Sequence, residues 1–202
     1  MVQCQRIAVP TTPTRGLNMF ATVCFLSQAA FENHFRPRKN TVALSITDLG
    51  VAPARVPLDI EFLLRVQFDD LSEESLNVRV GHLPDKPLAD AKLMAYNCIL
   101  PDGNHAKAIV AFLLPFAASQ ESFHLVVHCY AGISRSAAVA AVVADRFGAE
   151  IDQANPDTSC ANPRLTRLLH KVLDGEPMST GDMPAYPVSP PVQQQTSFGG
   201  IF

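Results

Sequence analysis

The 202-residue chain lacks tryptophan, and it has no surplus of positive charge, because its formal net charge is −3 at pH 7. This charge balance argues against a surface for nucleic acid or for an anionic membrane. No apolar run is long enough to span a bilayer. The five cysteines form no CxxC pair, so neither a disulfide framework nor a structural zinc site is expected. These absences predict a cytoplasmic protein that binds neither nucleic acid nor membrane.

The composition does provide a core, since 48% of the residues are hydrophobic. A chain of this length is typical of one domain with additional segments. Residues 1–18 carry little pattern and are interpreted as an N-terminal extension, and residues 19–174 as the folded domain. Residues 77–101, which contain several prolines, are interpreted as an insertion within it. Residues 175–202, rich in proline and glutamine, are predicted to be a disordered tail.

Strands and helices alternate along the folded domain. Because βα alternation is typical of parallel sheets, we predict a single α/β domain with a mostly parallel central sheet flanked by helices. Arg167 and Lys171, on the polar face of the last helix, are expected to be solvated. The predicted strands are 20–27, 41–47, 61–68 and 123–128, and the main predicted helices are roughly 105–119, 134–147 and 164–173.

The most informative stretch is HCYAGISRS, from His128 to Ser136. It follows a predicted strand and leads into a predicted helix, so its backbone N–H groups converge at a helix N-terminus and form an anion cradle. We call Tyr130, Ala131, Gly132, Ile133, Ser134 and Arg135 the cradle loop. Gly132 permits close approach, and the planar guanidinium of Arg135 can bind two oxygens of a phosphate dianion.

Cys129 would lie at the bottom of this electropositive pocket. The field that binds a phosphate would also stabilise a thiolate, so one loop would both form a nucleophile and bind its target. His128 is expected to tune that thiolate by hydrogen bonding, and Ser136 to donate a hydrogen bond to the sulfur when it leaves.

The stretch HCYAGISRS resembles the HCxxGxxR[ST] signature of cysteine-dependent protein tyrosine phosphatases and dual-specificity phosphatases. The segments TVALSITDLG, LLRVQFDD and NPRLTRLL occur in the order expected for compact bacterial members, so the resemblance covers roughly residues 19–173. It implies a protein tyrosine phosphatase-like fold and phosphomonoester hydrolysis through a cysteinyl-phosphate, with Cys129 as nucleophile, Arg135 as phosphate ligand and no metal or other cofactor. The substrate would be a phosphorylated protein or a small phosphomonoester.

The resemblance also implies an aspartic acid that protonates the leaving group. Asp70 is favoured because it follows a predicted strand directly, and the ligand sites of open α/β sheets lie at the carboxyl ends of strands. Asp69 is the next choice. Asp90 is a further alternative, because its separation from Cys129 is the usual one in compact relatives.

Other functions remain open at this level. The chain could bind phosphate or phosphotyrosine without turnover, or hydrolyse a small phosphorylated metabolite. Arsenate reductases and rhodanese-like proteins share the Cys-x5-Arg spacing, but arsenate reduction would need resolving cysteines near Cys129 in sequence, and there are none. No loop side chain other than Arg135 is basic, which argues against polyphosphoinositide substrates. The sequence does not indicate the oligomeric state.

Overall fold

A computed structural model describes residues 20–72, 98–153, 156–183 and 193–196. The predicted N-terminal extension, nearly all of the predicted insertion and Asp90 lie outside these residues. The strands are β1 Phe20–Ser27, β2 Thr41–Thr47, β3 Phe62–Gln67, β4 Phe123–Cys129, β5 Glu150–Ile151 and β6 Gln193–Thr196. The helices are α1 Gln28–Asn33, α2 Gly103–Ala117, α3 Arg135–Phe147 and α4 Pro163–Leu173, and residues Thr180–Asp182 form a 3-10 turn.

The strands form one sheet in the order β5-β1-β4-β2-β3-β6. The first five are parallel, and β6 pairs antiparallel with β3 at the edge. This arrangement confirms the predicted α/β domain with a mostly parallel sheet. Because β4 lies between β1 and β2, the loop that follows β4 is flanked by the loops that follow both neighbours. This sheet order is what brings distant parts of the sequence to one edge.

The main core lies between the sheet and three helices. Alternate residues of the strands, among them Val23, Leu44, Leu64 and Val127, are buried against apolar residues of α2, α3 and α4. Helix α3 contributes an almost continuous apolar surface, as its alanine- and valine-rich sequence predicts, and ends at Gly148 in the left-handed conformation. The opposite face of the sheet has a smaller core, covered by α1 and the β2–β3 connection. Every residue of β2 is buried, so the strand is covered on both faces.

Two parts of the segment predicted to be a disordered tail, residues 175–183 and 193–196, lie within the described residues and contact the folded domain. Asp182 is buried, and its carboxylate forms ion pairs with Arg167 and Lys171 of α4. Arg167 remains exposed and Lys171 is half-buried, and both cations also hold the segment after α4. Farther along, residues 193–196 add the antiparallel strand β6 to the sheet. The proline and glutamine content of the segment did not reveal these long-range contacts. They stabilise a segment that has few apolar residues of its own to bury.

Within the part of the chain that the structure describes, no helix combines the length and the hydropathy needed to cross a membrane.

Candidate active site

The candidate site lies at the carboxyl edge of the sheet, where β4 ends. Cys129 is the last residue of β4 and is aligned with Ser27, the last residue of β1. The cradle loop then runs from Tyr130 into the first turn of α3. The loop is anchored to the neighbouring strand connection, because the N–H of Gln28 donates a hydrogen bond to the carbonyl of Tyr130 at 3.2 Å.

Gly132 fixes the shape of the cradle loop. Its φ is 76°, in the left-handed region that favours glycine. A Cβ at this position would lie 2.3 Å from the backbone nitrogen of Ser27 and 2.5 Å from the carbonyl carbon of Leu26. Only a residue without a side chain therefore fits between the loop and the end of β1, which explains the glycine in the motif.

The sulfur of Cys129 is surrounded by hydrogen-bonding groups supplied by the following residues. The N–H of Gly132 donates to Sγ at 3.3 Å, and Oγ of Ser136 lies 3.2 Å from Sγ. Cys129 is 1% exposed and Ser136 is fully buried. The loop thus turns back over its own cysteine, and the predicted contact between Ser136 and the sulfur is present.

Arg135 is buried beneath the loop and is held at one end of its guanidinium. Its Nη1 donates to the carbonyl of Phe68 at 2.7 Å and lies 2.6 Å from Oδ1 of Asp48. Its Nε has no hydrogen-bond partner among the described residues. The contacts at Nη1 orient the planar group and leave Nε available for an oxygen of a ligand.

Asp70 joins the end of β3 to the cradle loop. Its Oδ1 accepts hydrogen bonds from Oγ of Ser134 at 2.6 Å and from Nδ2 of Asn162 at 2.9 Å. Its Oδ2 lies 4.0 Å from Nε of Arg135. Ser134 is the residue before α3, and its hydroxyl bonds to Asp70 instead of capping the helix. The structure therefore brings the favoured acid candidate to the loop, although the two residues are distant in sequence.

Asn162 supports the same junction from the start of α4. Its N–H donates to the carbonyl of Ser134 at 3.2 Å, and its Oδ1 accepts from the N–H of Leu165, which caps α4. Together with the bond to Asp70, these contacts tie the cradle loop, the end of β3 and α4 into one network. Asn162 is a helix cap and a support of the loop at once.

Asp69 forms hydrogen bonds with Ile99, and not with the cradle loop. Its Oδ2 accepts a hydrogen bond from the N–H of Ile99 at 2.7 Å, and its own N–H donates to the carbonyl of Ile99. Burial raises the pKa of Asp69, and the negative charge of Asp48 acts in the same direction, whereas the bond from Ile99 and the charge of Arg135 oppose the shift. A raised pKa favours the protonated form that a general acid requires.

The predicted hydrogen bond between His128 and the thiolate is not present. His128 points to the opposite face of the sheet, because adjacent residues of a strand alternate, and its ring stacks on Phe31 with centroids 4.4 Å apart. Neither imidazole nitrogen has a hydrogen-bond partner within the described residues. Burial lowers the pKa of His128 to about 4, and the nearby Arg65 cation adds to the shift. His128 is therefore a packing residue behind the site.

Sequence reasoning missed Asp48 as a member of the site. Asp48 directly follows β2, just as Asp69 and Asp70 follow β3 after Phe68, and that shared position was the available signal. The order of the strands, which the sequence did not show, puts β2 beside β4 in the sheet. Asp48 consequently reaches the arginine of the cradle loop.

Four of the five cysteines fall within the described residues, and Cys24, Cys98, Cys129 and Cys160 are all free thiols. No group of three or more potential metal ligands occurs in the parts of the chain that the structure describes. Comparison with protein-family models, with curated proteins and with solved structures yields no match to this chain.

Proposed function

We propose that the chain is a phosphomonoester hydrolase of the protein tyrosine phosphatase type, acting through a cysteinyl-phosphate on Cys129. The observation that carries this proposal is the arrangement around the sulfur. A buried cysteine at a strand end lies under a loop whose N–H group points to Sγ, and the loop continues into a helix whose first residue is an oriented arginine. A phosphate bound to such a loop would lie within reach of the sulfur.

In the proposed first step, the Cys129 thiolate attacks phosphorus and forms an S–P bond while the P–O bond to the leaving group breaks. Arg135 and the loop N–H groups bind the phosphoryl oxygens as charge redistributes. A carboxylic acid transfers its proton to the departing oxygen. In the second step a water molecule gives a proton to the same carboxylate and attacks phosphorus, which breaks the S–P bond and releases inorganic phosphate. The hydroxyl of Ser136, 3.2 Å from Sγ, can donate to the departing sulfur.

We assign the acid to Asp70, because, of the two aspartates that follow β3, it is the one that contacts the cradle loop directly. Asp69 is the alternative, supported by its raised pKa. The two assignments predict different mutants to fail. Asp70→Asn would lose the proton donor while keeping an amide that can bond to Ser134, whereas Asp69→Asn would leave catalysis at the loop largely intact. If Asp69 is the acid, the two results exchange.

A phosphate-binding protein without turnover is the second candidate. One observation favours it: Oδ1 of Asp70 already accepts two hydrogen bonds, from Ser134 and Asn162, a role that stabilises the loop and does not require proton transfer. Such a protein would bind phosphorylated ligands and leave them unchanged.

The proposed hydrolase requires Cys129 to stay reduced, and the reducing cytoplasm is the compartment that we propose for it.

Hydrolysis of para-nitrophenyl phosphate in the presence of EDTA tests the proposal. We expect wild-type turnover, its loss in Cys129→Ser, and a decrease of kcat of about 100-fold in the variant that removes the acid. Cys24→Ser is the matched control, since it makes the same change in a cysteine of β1 outside the site. Turnover that survives Cys129→Ser would refute the cysteine mechanism. Tight phosphate binding by a folded wild type without turnover would favour the second candidate.

A further inference from the structure

The entrance of the candidate site has exposed apolar side chains where a basic patch would be expected for a highly charged ligand. Tyr130 is 70% exposed and Ile133 is 56% exposed, and both belong to the short cradle loop. We call these two side chains the apolar lip. Val51, at the same edge of the sheet, is also exposed, and its carbonyl accepts a hydrogen bond from Gln67 at the end of β3. Exposed apolar groups around a polar pocket are typical of a contact surface.

Within the part of the chain that the structure describes, the remaining charges at this edge are mainly negative. The side chains of Asp48 and Asp70 are 35% and 36% exposed, whereas Arg135 is buried and paired with Asp48. Among the described residues, a substrate therefore meets positive potential deep in the cradle, and carboxylates and apolar surface around it. A second negative charge beside the phosphate would lie near these carboxylates with no cation in the lip to balance it.

We propose that Tyr130 and Ile133 are specificity-determining residues, which select a phosphate carried on an aromatic ring with apolar neighbours over the same phosphate with acidic neighbours. The inference rests on the proposed function, because it concerns the substrate of the same site. Tyr130 offers a rigid aromatic surface that packs against an aryl group at little entropic cost, and Ile133 offers an aliphatic surface to the neighbouring residue. The apolar lip favours apolar neighbours of the phosphate, and the carboxylates disfavour acidic neighbours, so both select the same substrates.

Two phosphotyrosine peptides test the proposal, one with leucine and one with glutamate on both sides of the phosphotyrosine. For the wild-type full-length chain, we expect kcat/KM to be at least about fivefold higher for the leucine peptide. Ile133→Lys should abolish or reverse this preference, and Ile133→Leu should retain it. Leu58→Lys is the matched control, because Leu58 is fully exposed but lies shortly before β3 begins, at the amino edge of the sheet. It should leave the preference unchanged.

The part played by Tyr130 is measured with the leucine peptide carrying phosphotyrosine or phosphoserine. Tyr130→Ala should lower the ratio of kcat/KM for the phosphotyrosine peptide to kcat/KM for the phosphoserine peptide by about tenfold, because only the aryl group packs on the ring. Tyr130→Phe should keep the wild-type ratio. Equal effects on both peptides, or a leucine-to-glutamate preference that Ile133→Lys and Leu58→Lys change equally, would overturn the proposal.

Binding of the same peptides to Cys129→Ser separates this inference from the proposed function. If wild type shows no turnover but the Cys129→Ser chain binds the leucine peptide more tightly than the glutamate peptide, the lip is supported and the hydrolase is refuted. If wild type turns over both peptides equally and Cys129→Ser binds them equally, the hydrolase stands and the lip is refuted.

Discussion

Gly132 is the residue on which the shape of the cradle loop depends most directly. Two independent constraints meet at this position, a positive φ and the close approach of the β1 backbone. The first would cost any other residue on the order of 1 kcal/mol. The second would force the loop or the end of β1 to move, and with it the N–H group that faces the sulfur of Cys129.

We predict that Gly132→Ala lowers kcat/KM for para-nitrophenyl phosphate by at least about 100-fold while the protein stays folded, since displacing a catalytic loop by about 1 Å has effects of this size. Gly175→Ala is the control, because Gly175 has a similar φ of 69° but no atom within 4 Å of the added Cβ. The Gly175→Ala variant should lose only the free energy that a positive φ costs an alanine, and it should keep its activity. Similar kinetics in the two variants would show that the close approach of β1 does not matter.

His128 gives a second prediction at this scale, for stability. Its pKa in the folded chain, about 4, lies below its ordinary value of 6.5, so between these values the unfolded chain binds more protons. The contribution to the free energy of unfolding is complete above pH 6.5 and is lost as the pH falls towards 4. Between pH 6.5 and pH 4 we expect the unfolding free energy of the wild type to fall by about 3 kcal/mol more than that of His128→Leu, at 1.36 kcal/mol per pKa unit.

Urea unfolding of wild type and His128→Leu across this pH range provides the measurement. The difference between the two proteins isolates the histidine, because the carboxylates are common to both. Parallel curves, with a constant difference in unfolding free energy from pH 7 to pH 4, would contradict the buried neutral imidazole.

At the scale of secondary structure, α4 is held by the segment that follows it. The carboxylate of Asp182 also accepts hydrogen bonds from the N–H and the Oγ of Ser179, so it is a buried acceptor with four donors around it. Burial alone would raise the pKa of Asp182, but the bonds from Arg167 and Lys171 hold it well below its ordinary value. This carboxylate stabilises the fold above its ordinary pKa, and the contribution decreases as the pH falls below that value.

We predict that Asp182→Asn destabilises the chain by about 2 kcal/mol, because it leaves two cations without their shared carboxylate. Asp174→Asn is the control, since Asp174 pairs with Arg146 at the exposed end of α4 and should cost less. Urea unfolding at pH 7 measures both variants. Equal losses would indicate that the segment after α4 contributes no more than a surface ion pair.

The elements themselves could be largely predicted from the sequence. Strands β1 and β2 match their predicted bounds, because apolar β-branched and aromatic runs bounded by polar residues determine local structure strongly. Asp48 and Asp182 could not be assigned in the same way. The position of Asp48 directly after β2 was a local signal, but its contact with Arg135 depends on which strand lies beside β4. The role of Asp182 depends on where the chain returns after α4, and no local pattern shows that return.

For the whole molecule, the sheet order determines the site. Insertion of β4 between β1 and β2 places the nucleophile candidate beside the connections after both strands, with the end of β3 one strand farther away. The alternation of strands and helices in the sequence predicted the parallel sheet, and a parallel sheet predicts a site at its carboxyl edge. It could not give the order of the strands, and hence not the contacts of Arg135 with Asp48 and Phe68.

The measurement that tests the central claim most directly is the detection of the covalent intermediate. The wild-type chain is mixed with para-nitrophenyl phosphate, quenched rapidly in acid, digested and analysed by mass spectrometry. We predict one phosphoryl group on the peptide that contains Cys129, none in Cys129→Ser, and a larger labelled fraction in Asp70→Asn with this activated leaving group, because the base for hydrolysis is then missing. Turnover by the wild type with no phosphoryl group on Cys129, or with the group on another residue, would contradict the account.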